Sequence, residues 1–197
     1  MSKVCIITGG TSGIGLATAR AMHDAGYHVY ELSRRENGTD CAVHIQADVT
    51  KEDTLRAAVD FVLAQEDHID VVINNAGFGI SGAVEFTDTA DAIRQLDVNF
   101  FGMVRMNHVV LPILRKQGYG RIVNLSSVAG SIPIPFQTYY SAAKAAVNAY
   151  TMALANELRP FGITVCAVQP GDIHTGFTAA REKTVTGDEV YGGRISR

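Results

Sequence analysis

Tyr140 and Lys144 stand four residues apart in "YSAAK" (140–144), within a segment, 138–158, whose pattern predicts a helix. That spacing puts both side chains on one helix face, one turn apart. A free phenol has a pKa of about 10, too high for proton exchange at neutral pH. An ammonium one turn away favours the phenolate, so the pair is expected to bring the tyrosine's pKa down toward the working range. The competing reading is an ordinary Tyr/Lys pair on a helix surface. A third polar side chain, Ser127 of "NLSSVAG", lies thirteen residues upstream of Tyr140 at the end of an expected strand.

A second chemical feature sits near the amino terminus. "TGGTSGIG" (8–15) follows a short apolar run and opens a helical pattern, the context in which a glycine loop cradles a dinucleotide. Gly9 permits the sharp turn out of the strand, Gly13 allows close approach of backbone to a pyrophosphate, and Gly15 allows the helix to pack on the sheet. The free amides at the helix start, together with its dipole, would face the phosphates. Thr11 and Ser12 can add hydroxyl donors. Taken alone, a glycine-rich turn with no ligand explains the loop equally well.

These residues need a scaffold, and the chain supplies an alternating one. "KVCIIT" (3–8), "HVYELS" (28–33), "AVHIQAD" (42–48), "VVIN" (71–74), "RIVNLS" (121–126) and "TVCAVQ" (164–169) read as strands. Several are continuously apolar, as in a parallel sheet covered on both faces. Helical patterns fill 13–25, 51–66, 91–117 and 138–158, and Pro160 and Gly162 close the last. The alternation predicts a doubly wound α/β sheet with three layers, helices on both faces, and ligands at the carboxyl edge of the strands. No linker or repeat interrupts the pattern, so one domain spanning 1–197 is expected. The polar end, "TAAREKTVTGDEVYGGRISR", offers no further strand, and 176–197 reads as a surface excursion, a disordered tail or the start of an incomplete lid.

Composition narrows the function classes. A chain of 197 residues with 47% hydrophobic and 19% charged residues suits a globular protein with a well-filled core. A net charge of −3 gives no electrostatic case for nucleic acid or an anionic membrane. The three cysteines (Cys5, Cys41, Cys166) are far apart, which favours reduced thiols over a disulfide framework or zinc site. Six scattered histidines form no metal-ligand pair, so no metal is expected. No signal peptide or membrane span is readable, and a cytoplasmic location is expected.

At this point the chain resembles the short-chain dehydrogenase/reductase family. Thr8-Gly9-x-x-x-Gly13-x-Gly15 is similar to the glycine motif of its classical branch, whereas the extended branch has T-G-x-x-G-x-x-G. Asn74-Asn75-Ala76-Gly77 matches N-N-A-G, "YSAAK" matches Y-x-x-x-K, and Pro170-Gly171 matches the P-G after the sixth strand. The motifs fall in the family's order over nearly the whole chain. The resemblance implies a Rossmann fold and hydride transfer between a nicotinamide and a carbonyl or secondary alcohol. It implies that Ser127 holds the substrate oxygen and that Tyr140 donates the proton. Lys144 would tune Tyr140 and bind the nicotinamide ribose. Asn99 in "LDVNFFG" matches the helix asparagine that helps hold a water linking Lys144 to solvent, although a residue capping or bending its helix is the alternative. By the same match, Tyr139 and Ser126 are decoys beside Tyr140 and Ser127.

The resemblance also places the cofactor contacts: Gly9, Thr11, Ser12, Gly13, Ile14 and Gly15 at the phosphates, and Asp48 and Val49 beside the adenine. Asn75, Ala76 and Gly77 would follow along the cofactor, with Pro170, Gly171, Ile173 and Thr175 near the nicotinamide. The end of the second strand discriminates the two nicotinamides. An acid there would bond the ribose 2′-hydroxyl of NAD, while an arginine would accept the 2′-phosphate of NADP. The position is Ser33, not acidic, and Arg34 and Arg35 follow it. A guanidinium suits a phosphate by charge and by geometry, so NADP(H) is expected over NAD(H), with Arg34 as the reader. Glu31, on the same side of the strand, is the counter-indication.

The stretches 77–86 and 130–138 should border the substrate. Phe78, Ile80, Ile132, Ile134 and Phe136 make them apolar, consistent with a hydrophobic small-molecule alcohol or ketone and equally with core packing. Classical members carry a seventh strand after a substrate lid. This sequence stops soon after Thr175, by nature or as a shortened form of a longer chain, and the second is favoured because an uncovered sixth strand is an aggregation liability. The family's tetramer interface through that strand is then lost, and a homodimer through the helices at 91–117 and 138–158 is expected. Two rivals to an enzyme stand beside this reading: a nucleotide-binding sensor without turnover, and an inactive fragment of an enzyme.

Overall fold

The structure, a computed structural model, describes residues 2–173 and 181–196. Its centre is β1 (Lys3–Thr8), whose alternate residues point to opposite faces of the sheet. Val4 and Ile6 enter one apolar cluster, and Cys5 and Ile7 enter another on the opposite face. All four are fully buried, which is why the strand reads as an unbroken apolar run.

Parallel pairing puts β2 (Tyr27–Ser33) on one side of β1 and β4 (Val71–Asn74) on the other. Beyond β2 lies β3 (Val43–Gln46); beyond β4 come β6 (Gly120–Leu125) and β7 (Ile163–Val168). The order β3-β2-β1-β4-β6-β7 is the expected doubly wound sheet, with its reversal between β1 and β4. The connections leaving those two strands diverge, opening a crevice at the carboxyl edge. The first cluster buries Leu55, Val59 and Val62 of α2 (Glu52–Glu66) and Met106, Val110 and Leu114 of α4 (Gly102–Gln117). It also takes Leu154 and Leu158 of α5 (Thr138–Leu158), while α1 (Gly13–Asp24) covers the second cluster with Leu16, Ala19 and Met22. Along β7 the alternation is incomplete: Ile163 and Val165 are buried, whereas Thr164, Cys166 and Val168 are exposed.

Two expectations need correction. The helix expected over 91–117 begins earlier and is not uniform. It comprises α3 (Thr89–Leu96), one π-helical segment (Asp97–Phe101) and then α4. Asp88 starts it by accepting a hydrogen bond from the Ala90 amide. The polar end does contain a strand: β8 (Glu182–Lys183) pairs in parallel with β5 (Ile80–Ser81). Two residues are too few to show a period of two, and the pairing comes from main-chain bonds, Glu182 N to Gly79 O at 3.0 Å and Thr184 N to Ser81 O at 2.9 Å. Arg94 of α3 forks onto the Glu182 carboxylate, and Tyr191 packs edge-on against Phe136 at 5.6 Å. Residues 181–196 thus fold back over the stretches expected to border the substrate.

Candidate active site

The glycine loop is shaped by backbone that leaves no room for side chains. Gly9 (φ +69°) and Gly13 (φ +53°) adopt the left-handed region. A Cβ on Gly15 would fall 2.2 Å from the Gly9 carbonyl and 2.4 Å from Asn75 Nδ2. Asn75 itself holds the loop, donating from Nδ2 to the carbonyls of Thr8 (3.0 Å) and Gly9 (2.9 Å). The Thr8 hydroxyl in return accepts from the Asn75 and Ala76 amides, both at 3.1 Å. The two switch-point strands are therefore tied at their carboxyl ends. Ser12 occupies the N-cap of α1 with no side-chain capping bond, and it is exposed beside half-buried Thr11 and Ile14. The amides of the first turn, with the Thr11 and Ser12 hydroxyls, make an anion-binding helix start.

The other carboxyl edges bring the catalytic candidates to the same rim. Ser127 follows β6 and caps a short 3-10 turn, its Oγ accepting from the Ala129 amide at 3.1 Å. Its side chain also hydrogen-bonds the Tyr140 phenol. Ser126 is buried and donates to the Lys144 carbonyl at 3.0 Å, so it fixes α5 rather than facing the cleft. Lys144 is 5% exposed; its Nζ donates to the Leu125 carbonyl at 2.6 Å and lies 5.8 Å from the Tyr140 ring centre. Burial pulls its pKa down to about 8.

The expected lowering of the Tyr140 pKa is not what the geometry gives. Burial pushes the phenol above its ordinary value, against the opposing pull of the Ser127 hydrogen bond and the positive charge of Arg181. The reason is physical: the lysine ammonium is spent on the Leu125 carbonyl, while the ring is desolvated by its packing. Arg181 was not legible as a member of this site, because its approach depends on the fold-back of the chain end.

Asn99 lies in the π-helical segment, 3% exposed, and grips the main chain of Phe78. Its Oδ1 accepts from the Phe78 amide at 3.0 Å and its Nδ2 donates to the Phe78 carbonyl at 2.8 Å. Gln95, four residues earlier, also donates to the Phe78 carbonyl (2.7 Å) and accepts from the Ile80 amide (2.8 Å). The side chain of Asn99 is thus a clamp for the loop after Gly77. A Cβ on Gly77 would come within 3.2 Å of Asn99 Oδ1. Gln95 carried no sequence signal beyond that four-residue spacing.

At the far end of the crevice, Asp48 Oδ1 accepts from the Thr50 amide (2.9 Å) and hydroxyl (2.8 Å). Burial opposes ionisation of Asp48, but these bonds and the charges of Arg34 and Lys51 outweigh it and lower its pKa. Val49 is partly buried in the main cluster and close to Gly102. Arg34 and Arg35 are exposed, and the buried Oγ of Ser33 has no hydrogen-bond partner among the described residues. Glu31 does not reach outward: it is fully buried, and its two oxygens engage the Gly10 amide and His44. On the other flank, the Pro170 carbonyl accepts from the Val128 amide at 3.1 Å, and Gly171 and Ile173 are exposed beside it. Thr175 lies outside the described residues.

The apolar border divides. Ile80 is buried, whereas Ile132 is 72% and Ile134 37% exposed. Phe78 carries the Arg94 guanidinium at 4.8 Å, and Phe136, held at φ +61°, contacts Tyr191 and Arg194.

Known proteins resemble this chain in sequence and in fold. The short chain dehydrogenase family model matches residues 3–186. A 3-ketodihydrosphingosine reductase of Bacteroides thetaiotaomicron is 44% identical over 180 residues, covering 91% of this chain and 67% of the relative. A 3-ketoacyl-(acyl-carrier-protein) reductase from Brucella melitensis, solved with NADH, superposes with a TM-score of 0.87 at 30% identity, over 91% of this chain and 79% of that one. ElxO with NADP bound gives a TM-score of 0.85 at 29% identity, over 100% of this chain and 81% of that one. The chain belongs to the short-chain dehydrogenase family, as an oxidoreductase that uses a nicotinamide cofactor on carbonyl or CH–OH groups.

Proposed function

We propose an NADP(H)-dependent reductase or dehydrogenase of one Rossmann domain, in which Tyr140 exchanges the proton with the substrate oxygen. The observation that carries this reading is the meeting of Ser127, Tyr140 and Lys144 on the rim that also bears the glycine loop. The residues present fit a dinucleotide: Gly9 and Gly15 form a cradle that side chains would fill, and the Ser12 hydroxyl is not used by its own helix. Gly9, Thr11, Ser12, Gly13, Ile14 and Gly15 would hold the pyrophosphate, Asp48 and Val49 the adenine, and Asn75, Ala76 and Gly77 the middle of the cofactor. Pro170, Gly171, Ile173 and Thr175 would hold the nicotinamide end. When bound, the nicotinamide supplies or accepts the hydride.

Ser127 would orient the substrate oxygen toward Tyr140, and the phenol, kept protonated by burial, would donate to the oxyanion that reduction creates. Lys144, near neutrality in pKa, would return a proton to the phenol, with Asn99 keeping the adjoining loop in place. Arg34 is the reader of the 2′-phosphate. Its charge reaches Asp48 at the adenine end, the buried Ser33 hydroxyl beside it carries no acid, and Glu31 is held away from the ribose. The substrate is a small-molecule ketone, aldehyde or secondary alcohol with an apolar body, matched to the exposed Ile132 and Ile134. The name of the Bacteroides relative, a 3-ketodihydrosphingosine reductase, supports that class. We read the protein as a homodimer through the helices at 91–117 and 138–158, where Phe101 (47%) and Met152 (66%) stay exposed, and as cytoplasmic, with three free thiols. Among the described residues no helix is long and apolar enough to cross a membrane.

The test titrates NADPH and NADH into the wild type, Arg34→Ala and Tyr140→Phe, then follows cofactor absorbance over a carbonyl panel. Tyr140→Phe is expected to lose about 10²- to 10⁴-fold in kcat while still binding cofactor. Arg34→Ala is expected to lose affinity for NADPH alone. Turnover that survives in Tyr140→Phe refutes its role, and binding without turnover in the wild type supports a sensor or an inactive fragment.

A further inference from the structure

Two side chains of β3 lie behind the arginine loop. In the β2–β3 register Glu31 stands opposite His44, and Ser33 opposite Gln46. His44 and Gln46, two residues apart, share one face of the strand. Gln46 Nε2 donates to the Arg34 carbonyl at 3.2 Å, and His44 Nε2 is 2.9 Å from the Arg35 carbonyl. The main chain at both arginines is therefore held from β3.

His44 is fixed in its turn. Its Nδ1 lies 2.6 Å from Glu31 Oε2, and Glu31 Oε1 accepts from the Gly10 amide at 3.1 Å. Close packing enforces the path. A Cβ on Gly10 would fall 2.5 Å from Glu31 Cγ, and a Cβ on Gly38 would fall 2.3 Å from His44 Cβ. A continuous chain of contacts thus joins the glycine loop to the arginine loop through Gly10, Glu31, His44 and Arg35. Arg35 adds a longer contact from its guanidinium to the Thr11 carbonyl at 3.5 Å.

We propose that Glu31, His44 and Gln46 are positioning residues that set the preference for a nicotinamide cofactor bearing a ribose 2′-phosphate. They do so in two ways. They hold the backbone of Arg34 and Arg35 in one conformation before the cofactor arrives, which removes an ordering cost from binding. They also keep the Glu31 carboxylate inside the protein, engaged by Gly10 and His44 and so turned away from the ribose hydroxyls. The inference rests on the NADP(H) reading above. It differs from that reading in placing specificity on residues that do not touch the cofactor.

The test measures dissociation constants of NADPH and NADH for the wild type, Arg34→Ala, Gln46→Ala, His44→Gln and Glu31→Gln, with cofactor KM and kcat where turnover is found. Gln46 is exposed, so Gln46→Ala is expected to fold, checked by circular dichroism. Gln46→Ala and His44→Gln should each weaken NADPH about tenfold and leave NADH within about twofold. The effect should fall on KM for NADPH rather than on kcat. Glu31→Gln, which can still accept from Gly10 and meet His44, should retain the preference. Equal weakening of both cofactors by Gln46→Ala, or no weakening of either, overturns the proposal. If Arg34→Ala leaves NADPH binding unchanged, the NADP(H) reading fails and this inference with it. If Arg34→Ala removes the preference while Gln46→Ala and His44→Gln keep it, this inference alone fails.

Discussion

Replacing Lys144 by methionine separates what the lysine does for chemistry from what it does to the fold. The lysine is 5% exposed, and its ammonium donates to the Leu125 carbonyl at 2.6 Å. Its pKa falls from 10.5 to about 8 on burial. Between those pH values the unfolded chain keeps a proton that the folded chain has released, so wild-type stability rises with pH across that window. Below pH 8 both states are charged, and the folded state bears the full desolvation penalty. At about 1.4 kcal/mol per pH unit the penalty is about 3 kcal/mol. Methionine is similar in length and removes it, while the lost bond to Leu125 costs about 1 kcal/mol. Lys144→Met should therefore be more stable than the wild type by about 2 kcal/mol at pH 7. The gap should close as pH rises above 8 and change sign once the wild-type lysine is neutral in both states. Urea unfolding followed by far-ultraviolet circular dichroism at a series of pH values measures it, and a turnover assay should show the rate lost. A variant less stable than the wild type at pH 7, or a gap that does not move with pH, would refute the reasoning.

Gly15→Ala drives a Cβ to 2.2 Å from the Gly9 carbonyl. The loop must open, so cofactor affinity should fall at least about tenfold and stability by about 1–3 kcal/mol, read by titration and thermal melting. Because burial raises the Tyr140 pKa, the phenol stays protonated through neutral pH. Reduction should then be flat with pH in that range while alcohol oxidation, which needs the phenolate, climbs on the alkaline side. A reduction rate that already falls between pH 6 and 7 would contradict this. Cys5 and Cys41 are buried, and burial pushes the Cys5 thiol up to about 12, whereas Cys166 is exposed. A thiol reagent at pH 8 should titrate one group in the native protein and three after unfolding; a second native thiol would show that the packing over Cys5 or Cys41 opens. Arg94→Ala removes the fork on Glu182, an exposed pair worth up to about 1 kcal/mol. Global stability should barely move, while limited proteolysis within 181–196 should quicken.

What the sequence revealed depends on how locally each feature is determined. Gly9 and Gly15 were readable because their requirement is steric and the atoms that impose it, Gly9 O and Asn75 Nδ2, lie in two adjoining motifs. Ser126 and Ser127 were told apart by the match to the family's motif, and the structure separates them by burial, with Ser126 bonded to the Lys144 carbonyl. Glu31 was harder. From sequence it is an acid two residues before the discriminating position. Its contacts with Gly10 and His44 lie 21 and 13 residues away, and the pairing of β2 with β1 on one side and β3 on the other creates them. β8 was hidden for the opposite reason: two polar residues carry no period, and the neighbouring backbone defines the strand.

The error over Tyr140 is the most instructive, because the rule applied there was sound for an exposed pair. One turn of helix does bring Lys144 beside Tyr140, but the same packing that holds them takes both out of water. Desolvation favours the neutral form of each, raising the phenol and lowering the ammonium. The two pKa values are thereby drawn apart, and the proton sits on the phenol that faces Ser127. A pair so arranged suits donation to an oxygen that gains charge during reduction. Burial is opposed first by the Ser127 hydrogen bond and then by the charge of Arg181, at the start of the folded-back segment. If Tyr140 exchanges the proton as proposed, a residue remote from it in sequence, Arg181, would also bear on that exchange.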